Sequence, residues 1–318
     1  MRALTGNMAD AAFPTSALRS DDPGWIGHGL IFALGCALYI ACRFFPAELP
    51  AWMPWEFVWW EYLGCALGLY WFFRGLARLP RADRPAPWRI VSYVLGVVSL
   101  YAVLQTRIDY YALHMFFVHR AQHYVLHHSG AFLIALGAAG PALWAGMPRF
   151  LHPILSSRPV TAAVDFLQHP AVAPVLFVGL IYLWLVPALH TRVMLDARLY
   201  DLMNATMAVN GIFFWCLILD PRPKPPARIG SGLRALLVIA VEPFQMILGA
   251  ILSLSSIDFY PVYRICGRVL AMSAISDMHY GGLIIWLPST LTSFAGMIVV
   301  LVTMRLNDEA AERAGEAA

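Results

Sequence analysis

The sequence predicts an all-α, polytopic transmembrane helix bundle of seven or eight spans, and three features carry that reading. Hydrophobic residues make up 60% of the 318-residue chain and charged residues only 13%, with a mean hydropathy of +0.64, far from a soluble domain. Apolar stretches of about twenty residues, long enough to cross a hydrocarbon core ~30 Å thick, recur along the chain. They run uninterrupted instead of alternating with period two, so the backbone satisfies its polar groups in helices and not in a barrel.

The elements come in order along the chain. Residues 1–24 are polar, carry Pro14 and an Asp21-Asp22-Pro23-Gly24 turn, and lack the basic start and cleavage site of a signal peptide. They read as a flexible cytoplasmic tail. Eight candidate spans come next, 25–45, 57–79, 88–106, 111–137, 170–190, 200–219, 234–256 and 280–304. They form one transmembrane domain, 25–304, followed by a short cytoplasmic tail, 305–318. The cluster "WMPWEFVWWEY" (52–62) reads as an aromatic belt at the outer interface, with Glu61 interfacial beside it. In the seventh span, Glu242 is expected to bond near the backbone groups that Pro243 leaves free. The segment 257–279, which holds Arg264 and Arg268, fits a short interfacial helix. Gly281-Gly282 allows a neighbouring helix to approach closely and brings His279 toward it.

Lys and Arg choose the orientation. With the N-terminus inside and the spans alternating, fifteen basic residues fall on the inner side and six on the outer. The inner loops include "RGLARLPRADRP" and "DPRPKPPARIG". This is the charge pattern of a multi-pass protein of a bacterial inner (plasma) membrane with both termini cytoplasmic. The net charge of +3 is spread over loops, which gives no nucleic-acid surface. The five cysteines form no CxxC pair and read as small apolar residues. Seven of the ten histidines then lie on the outer side: His114, His119, His123, His127, His128, His190 and His279.

Five of those seven crowd into "LHMFFVHRAQHYVLHHSG" (113–130). On a regular helix His119, His123 and His127 share one stripe, spaced i, i+4, i+8, with Arg120 beside His123. His128 lies ~100° round, and His114 stands two to three turns away. Two histidines at i, i+4 can share a metal ion. The outer two of three are ~12 Å apart along the axis, so one pair recruits ligands from another helix, or the stripe holds two ions, or it passes protons or metal along. The partners on offer are Asp277, Met278 and His279, then Tyr200, Asp201, Met203, Asn204 and Met207. Ionisable clusters in a membrane are functional by default, which sets a metal site above a proton relay or plain packing. Imidazole suits zinc, copper, iron and nickel, and thioether sulfur tilts the choice toward copper(I).

Four stretches together resemble a known family. In "HRAQHYVLHHSGAFLIALG", His119, Gln122, His123 and Gly137 keep the separations of a His-Met-x-Gln-His helix that ends in Leu-Gly. "HPAVAPVLFVGLIYLWLVPAL" supplies His169-Pro170 and the element Trp184 to Ala188. "NGIFFWCLILDPRP" and "SDMHYGGLIIWLPS", the latter through Asp277, Gly281, Gly282, Trp286 and Pro288, come after them in the same order. Over roughly residues 55–304 the chain resembles the polytopic CtaG-type cytochrome c oxidase assembly factors, a family distinct from the single-span copper chaperone of the same name. The resemblance implies a helper in copper delivery to a haem-copper oxidase, with histidine ligands. The departures are specific. Gly130-Ala131-Phe132 replaces the family's Pro-Pro pair, Val186 its fifth-span His, and Tyr200 and Asn204 its sixth-span His pair. Conversely, His127, His128 and His279 stand where the family has other residues, so the ligand set is redistributed.

The expected function is an assembly factor for haem-copper oxidase that binds copper through His119 and His123, with His127, His279, His128 and His114 as further candidates. Its partners would be an oxidase subunit or a copper donor protein, and the lipid bilayer. Neutral imidazoles would be the ligands, so binding weakens below about pH 6. The alternatives are a membrane oxidoreductase, with a di-iron or haem centre, and a metal-free accessory subunit. "HYVLHH" resembles one histidine box of a membrane di-iron enzyme, which needs several. No Walker A loop, dinucleotide fingerprint or nucleophile elbow occurs, so ATP-driven transport and hydrolase chemistry have no residue support.

Overall fold

A computed structural model describes residues 24–316, so the expected N-terminal tail lies outside the described residues apart from Gly24. The described residues are helical, without a strand. The long helices are α1 (Trp25–Phe44), α2 (Trp59–Arg78), α3 (Pro87–Gln105), α12 (Ala197–Ile218), α13 (Ser231–Leu254) and α15 (Ala274–Glu316). Between α3 and α12 the chain breaks into shorter pieces. These are α4 (Arg107–His114), α5 (Phe116–Tyr124), a π-helical turn (Val125–Ser129), α6 (Gly130–Leu136) and α7 (Gly140–Gly146). Next come α8 (Leu151–Leu155), α9 (Arg158–Leu167), α10 (Val172–Leu185) and α11 (Pro187–Met194), and α14 (Val262–Cys266) sits between α13 and α15.

Five helices (α1, α3, α12, α13 and α15) are long and apolar enough to cross a membrane. The count reaches seven if two bent pairs are each one span: α5–α6 with α7, bent by 79°, and α9 with α10, bent by 73°. The second expected span, 57–79, forms the 20-residue helix α2, which carries Glu61, Arg74 and Arg78 and falls outside that count by composition. It packs on α7 at crossings where Gly75 meets the Ala142 carbonyl and Gly146 meets that of Trp71. A methyl group at either position would collide with backbone, which is why these crossings take glycine. The segment 257–279 does contain one short helix, α14, as expected. The last span does not end at 304: α15 runs 43 residues, ~65 Å at 1.5 Å per residue and twice the core thickness, so one end projects beyond it.

Lipid-facing and core-facing sides separate cleanly. Ile26, Leu30, Phe32, Leu236, Ile239, Leu291 and Phe294 point outward, as apolar side chains do where the solvent is hydrocarbon. The core centres on α12, whose Met203, Phe214, Trp215 and Ile218 are buried against α6, α10 and the π turn. α15 packs along α13 and α5, with Gly281 against Phe116 and Arg120, and Gly282 against Ser253 and the Gly249 carbonyl. The glycine pair therefore lets α15 approach two helices at once. Glu61 is not interfacial: it is buried and accepts a hydrogen bond from Gln105 Nε2 at 2.7 Å. Glu242 accepts from Thr290 Oγ1 at 2.9 Å, a side chain on α15 and not a backbone group freed by Pro243.

Candidate functional site

The histidine helix starts afresh at α5. Met115 adopts extended backbone (φ −136°, ψ 123°) and separates α4 from α5, which leaves the first amides of α5 without partners in their own helix. Asp277 of α15 supplies the acceptor. Its Oδ2 and Oδ1 take hydrogen bonds from the Phe116 and Phe117 amides at 3.1 and 2.9 Å, and Arg268 Nε donates to Oδ2 at 3.1 Å. A carboxylate at a helix N-terminus offsets the helix dipole and holds α5 in place.

From that anchor, His119 and His123 point inward and meet. Their Nε2 atoms are 3.1 Å apart, and both side chains are buried. His119 Nδ1 lies 2.7 Å from the Tyr263 hydroxyl of α14, which in turn lies 3.0 Å from His190 Nε2 of α11. His190 Nδ1 is 2.9 Å from the Trp184 carbonyl. With neutral rings this chain has one consistent proton order. The carbonyl must accept, so His190 Nδ1 carries the proton and its Nε2 accepts from the Tyr263 hydroxyl. The phenol oxygen then accepts from His119 Nδ1–H, which leaves His119 Nε2 with a bare lone pair facing His123. On the other side, His123 Nε2 is 3.2 Å from Asn204 Oδ1 of α12. A further layer braces the site: Tyr200 donates to Asp109 Oδ1 at 2.8 Å, and Gln122 Nε2 donates to the same oxygen at 2.7 Å.

Not every candidate joins this cluster. His114 stays on α4, its ring tilted against Tyr110 and its Nδ1 2.8 Å from the Tyr110 carbonyl. His127 leaves the stripe because the helix is not regular at that point. Trp215 Nε1 donates to the His127 carbonyl at 3.2 Å, and the backbone widens into the π turn. One extra residue in a turn rotates the side chains after it by ~100°. Gly211 lets α12 come close to the His127 backbone, where a methyl group would lie 2.6 Å from that carbonyl. His127 then ties two helices, with Nδ1 2.9 Å from the Met207 carbonyl and Nε2 2.9 Å from that of Phe177. A neutral ring donates from one of these nitrogens and the other is hemmed in by a carbonyl, so His127 presents no open nitrogen beside His123. His128 is buried at the π turn, with Nδ1 lacking a partner in the protein.

His279 also lies apart, its Nε2 2.7 Å from the Ser255 carbonyl after α13. The reason is angular. On α15, Asp277 and Gly281 share the face toward α5, and at 100° per residue His279 points ~200° away from Asp277. The elements that meet His119 and His123 are therefore α11, α12 and α14, not the residue His279. Tyr200 and Asn204 were visible in the sequence as partners on α12. His190 stands in the sequence only as one of the outer histidines, two residues after Trp184–Ala188, and the only cue for Tyr263 is its place in the short helix of 257–279.

Chemically, two imidazole nitrogens 3.1 Å apart suit one shared ion. With bonds of about 2.0 Å they would subtend about 100° at it, near the tetrahedral angle. Among the described residues no group of three or more His, Cys, Asp or Glu side chains is arranged to hold a metal ion. A further position on an ion would fall to Asn204, whose Oδ1 lies 3.2 Å from His123 Nε2. Arg120 acts electrostatically on His119, His123 and His190.

Comparison with known proteins places this arrangement in a family. The chain is 31% identical over 249 residues to Uncharacterized protein Mb0105 of Mycobacterium bovis and to Uncharacterized protein MT0111 of Mycobacterium tuberculosis. It is 29% identical over 248 residues to Uncharacterized protein ML1998 of Mycobacterium leprae. These matches cover 72%, 72% and 73% of this chain but 36% of each relative, so the chain spans about a third of the length of the curated relatives it matches. No solved structure matches it. The family model described as "Cytochrome c oxidase caa3 assembly factor (Caa3_CtaG)" matches residues 68–306, a stretch that holds α5, α11, α12 and α14, and the chain belongs to that family.

Proposed function

We propose that this protein assists assembly of a haem-copper cytochrome c oxidase by holding copper as cargo at His119 and His123. The observation that carries the reading is the 3.1 Å approach of their Nε2 atoms, with a relay from the Trp184 carbonyl through His190 and Tyr263 that bares the His119 lone pair. A metal-binding histidine characteristically donates its other nitrogen to such a partner. Imidazole donors suit copper, and copper(I) is favoured by the thioether of Met207, which lines the same cavity as His123. Two protein ligands leave further positions open for exchange with a donor protein or an oxidase subunit, which suits delivery better than storage. Counted over eight spans, with α2 crossing as well, the basic loops orient both termini to the cytoplasm and the histidine pair to the outer side of a bacterial inner membrane.

Copper(I) titration of the detergent-purified protein against a colorimetric chelator tests the reading. One equivalent should bind the wild type, and His119→Ala and His123→Ala should each weaken binding at least 10-fold. His114→Ala and His279→Ala should bind as the wild type does. A wild type that takes up no copper, or a copper equivalent that survives both substitutions, sinks the proposal.

A further inference from the structure

Below the histidine pair lies a chamber whose Arg120 and Gln245 the copper reading does not use. Its volume is about 20 Å³, and its polar lining is Arg120, His123, His128, Gln245 and Ser289 together with Tyr124 and His127, with Met207 and aliphatic side chains from α10 and α15 around them. All of these polar side chains but Tyr124 are more than nine-tenths buried. Several of their atoms meet no partner in the protein: Arg120 Nε and Nη2, Gln245 Nε2 and Oε1, and the Nδ1 atoms of His123 and His128. Arg120 has the Phe116 ring over one face, 5.2 Å from its Cζ, but pairs with no carboxylate among the described residues.

The charge of that lining is one-sided. A guanidinium only donates and stays charged, and the Gln245 amide and the Ser289 hydroxyl offer donors as well. No carboxylate faces the chamber. A buried charge is tolerated when it is paired, and here the protein provides no counter-charge. A metal cation would be repelled by the guanidinium, and about 20 Å³ admits one water-sized or monatomic species.

We propose that this chamber is a binding site for one small monovalent anion of chloride size, held by the donors of Arg120 and Gln245. An anion there offsets the positive charge beside His119 and His123, so its presence strengthens copper(I) binding at the pair. That coupling rests on the copper reading, whereas the anion site does not, and the two can fail separately.

The test uses copper-free protein in detergent, with chloride or bromide exchanged for gluconate at constant ionic strength. Thermal unfolding should shift upward by about 2–4 °C in either halide, and the chloride-35 NMR line should broaden with added protein. Arg120→Gln should abolish both effects, Arg120→Lys should keep them in weakened form, and Gln245→Leu should weaken them with the charge intact. A wild type indifferent to halide, as expected if the chamber takes water alone, overturns the site. So does a halide response that persists undiminished in Arg120→Gln and Gln245→Leu. A copper(I) affinity equal in chloride and gluconate, with halide binding intact, overturns only the coupling.

Discussion

Tyr263 carries more of the site than its position on a five-residue helix suggests. Its hydroxyl is the one group touching both His119 and His190, at 2.7 and 3.0 Å, and it passes the proton order along the relay. Tyr263→Phe removes the oxygen and leaves two buried imidazole nitrogens without a partner. Loss of a buried hydrogen-bond partner costs about 1–3 kcal/mol, and loss of a supporting partner lowers metal affinity about 10–100-fold. The expected outcome is a lower melting temperature together with weaker copper(I) binding. Unchanged affinity in the competition assay would show that the phenol does not orient His119. Arg120 is the residue-scale counterpart on the other side, a charge with an aromatic neighbour but no ionic partner among the described residues.

At the scale of elements, the site depends on where α5 begins and where it stops being regular. Asp277 reaches from α15 to cap α5 and also holds Arg268, so one carboxylate joins two helices and the connecting segment. Asp277→Asn keeps the shape, removes the charge and turns a donor toward the amides. We expect a loss of about 1–3 kcal/mol in stability, measured as a lower unfolding midpoint, and weaker copper binding as α5 loosens. A variant as stable as the wild type would mean that the cap is dispensable. At the other end of α5, Trp215 and Gly211 set the π turn, and the turn sends His127 toward the Met207 and Phe177 carbonyls.

Across the whole molecule, Asp109 gathers side chains from several elements. It sits on α4, outside the candidate spans, and accepts from Gln122 on α5, Tyr200 on α12 and Trp55 ahead of α2. Burial pushes its carboxyl up to about 6, against the opposite pull of hydrogen bonds from Gln122, Tyr200 and Trp55. The folded protein thus holds this proton more tightly than the unfolded chain, where an aspartate titrates near about 3.9. Its contribution to stability is full below about pH 4 and is lost as pH rises through about 6. Asp109→Asn should therefore gain on the wild type in melting temperature between about pH 4 and pH 7. Parallel melting profiles across that window would refute the assignment.

Much of the molecule was legible before any coordinates. The helical membrane class comes from composition and uninterrupted apolar runs, because lipid offers the backbone no other partner. The His119–His123 pair comes from i, i+4 spacing, and Tyr200 and Asn204 were visible as its neighbours on α12. The rest depended on contacts distant in sequence. The π turn exists because Trp215, 88 positions from His127, takes its carbonyl, and no local pattern announces it. The apolar run of α2 reads as a span, but nothing local announces its close glycine crossings with the bent α7. By itself the sequence determined that this is a helical membrane bundle with a histidine pair one turn apart. Only the tertiary structure decided that His190 and Tyr263 orient the pair while His279 turns away. Periodicity assigns a side chain to a face of its own helix, and packing alone decides what that face meets.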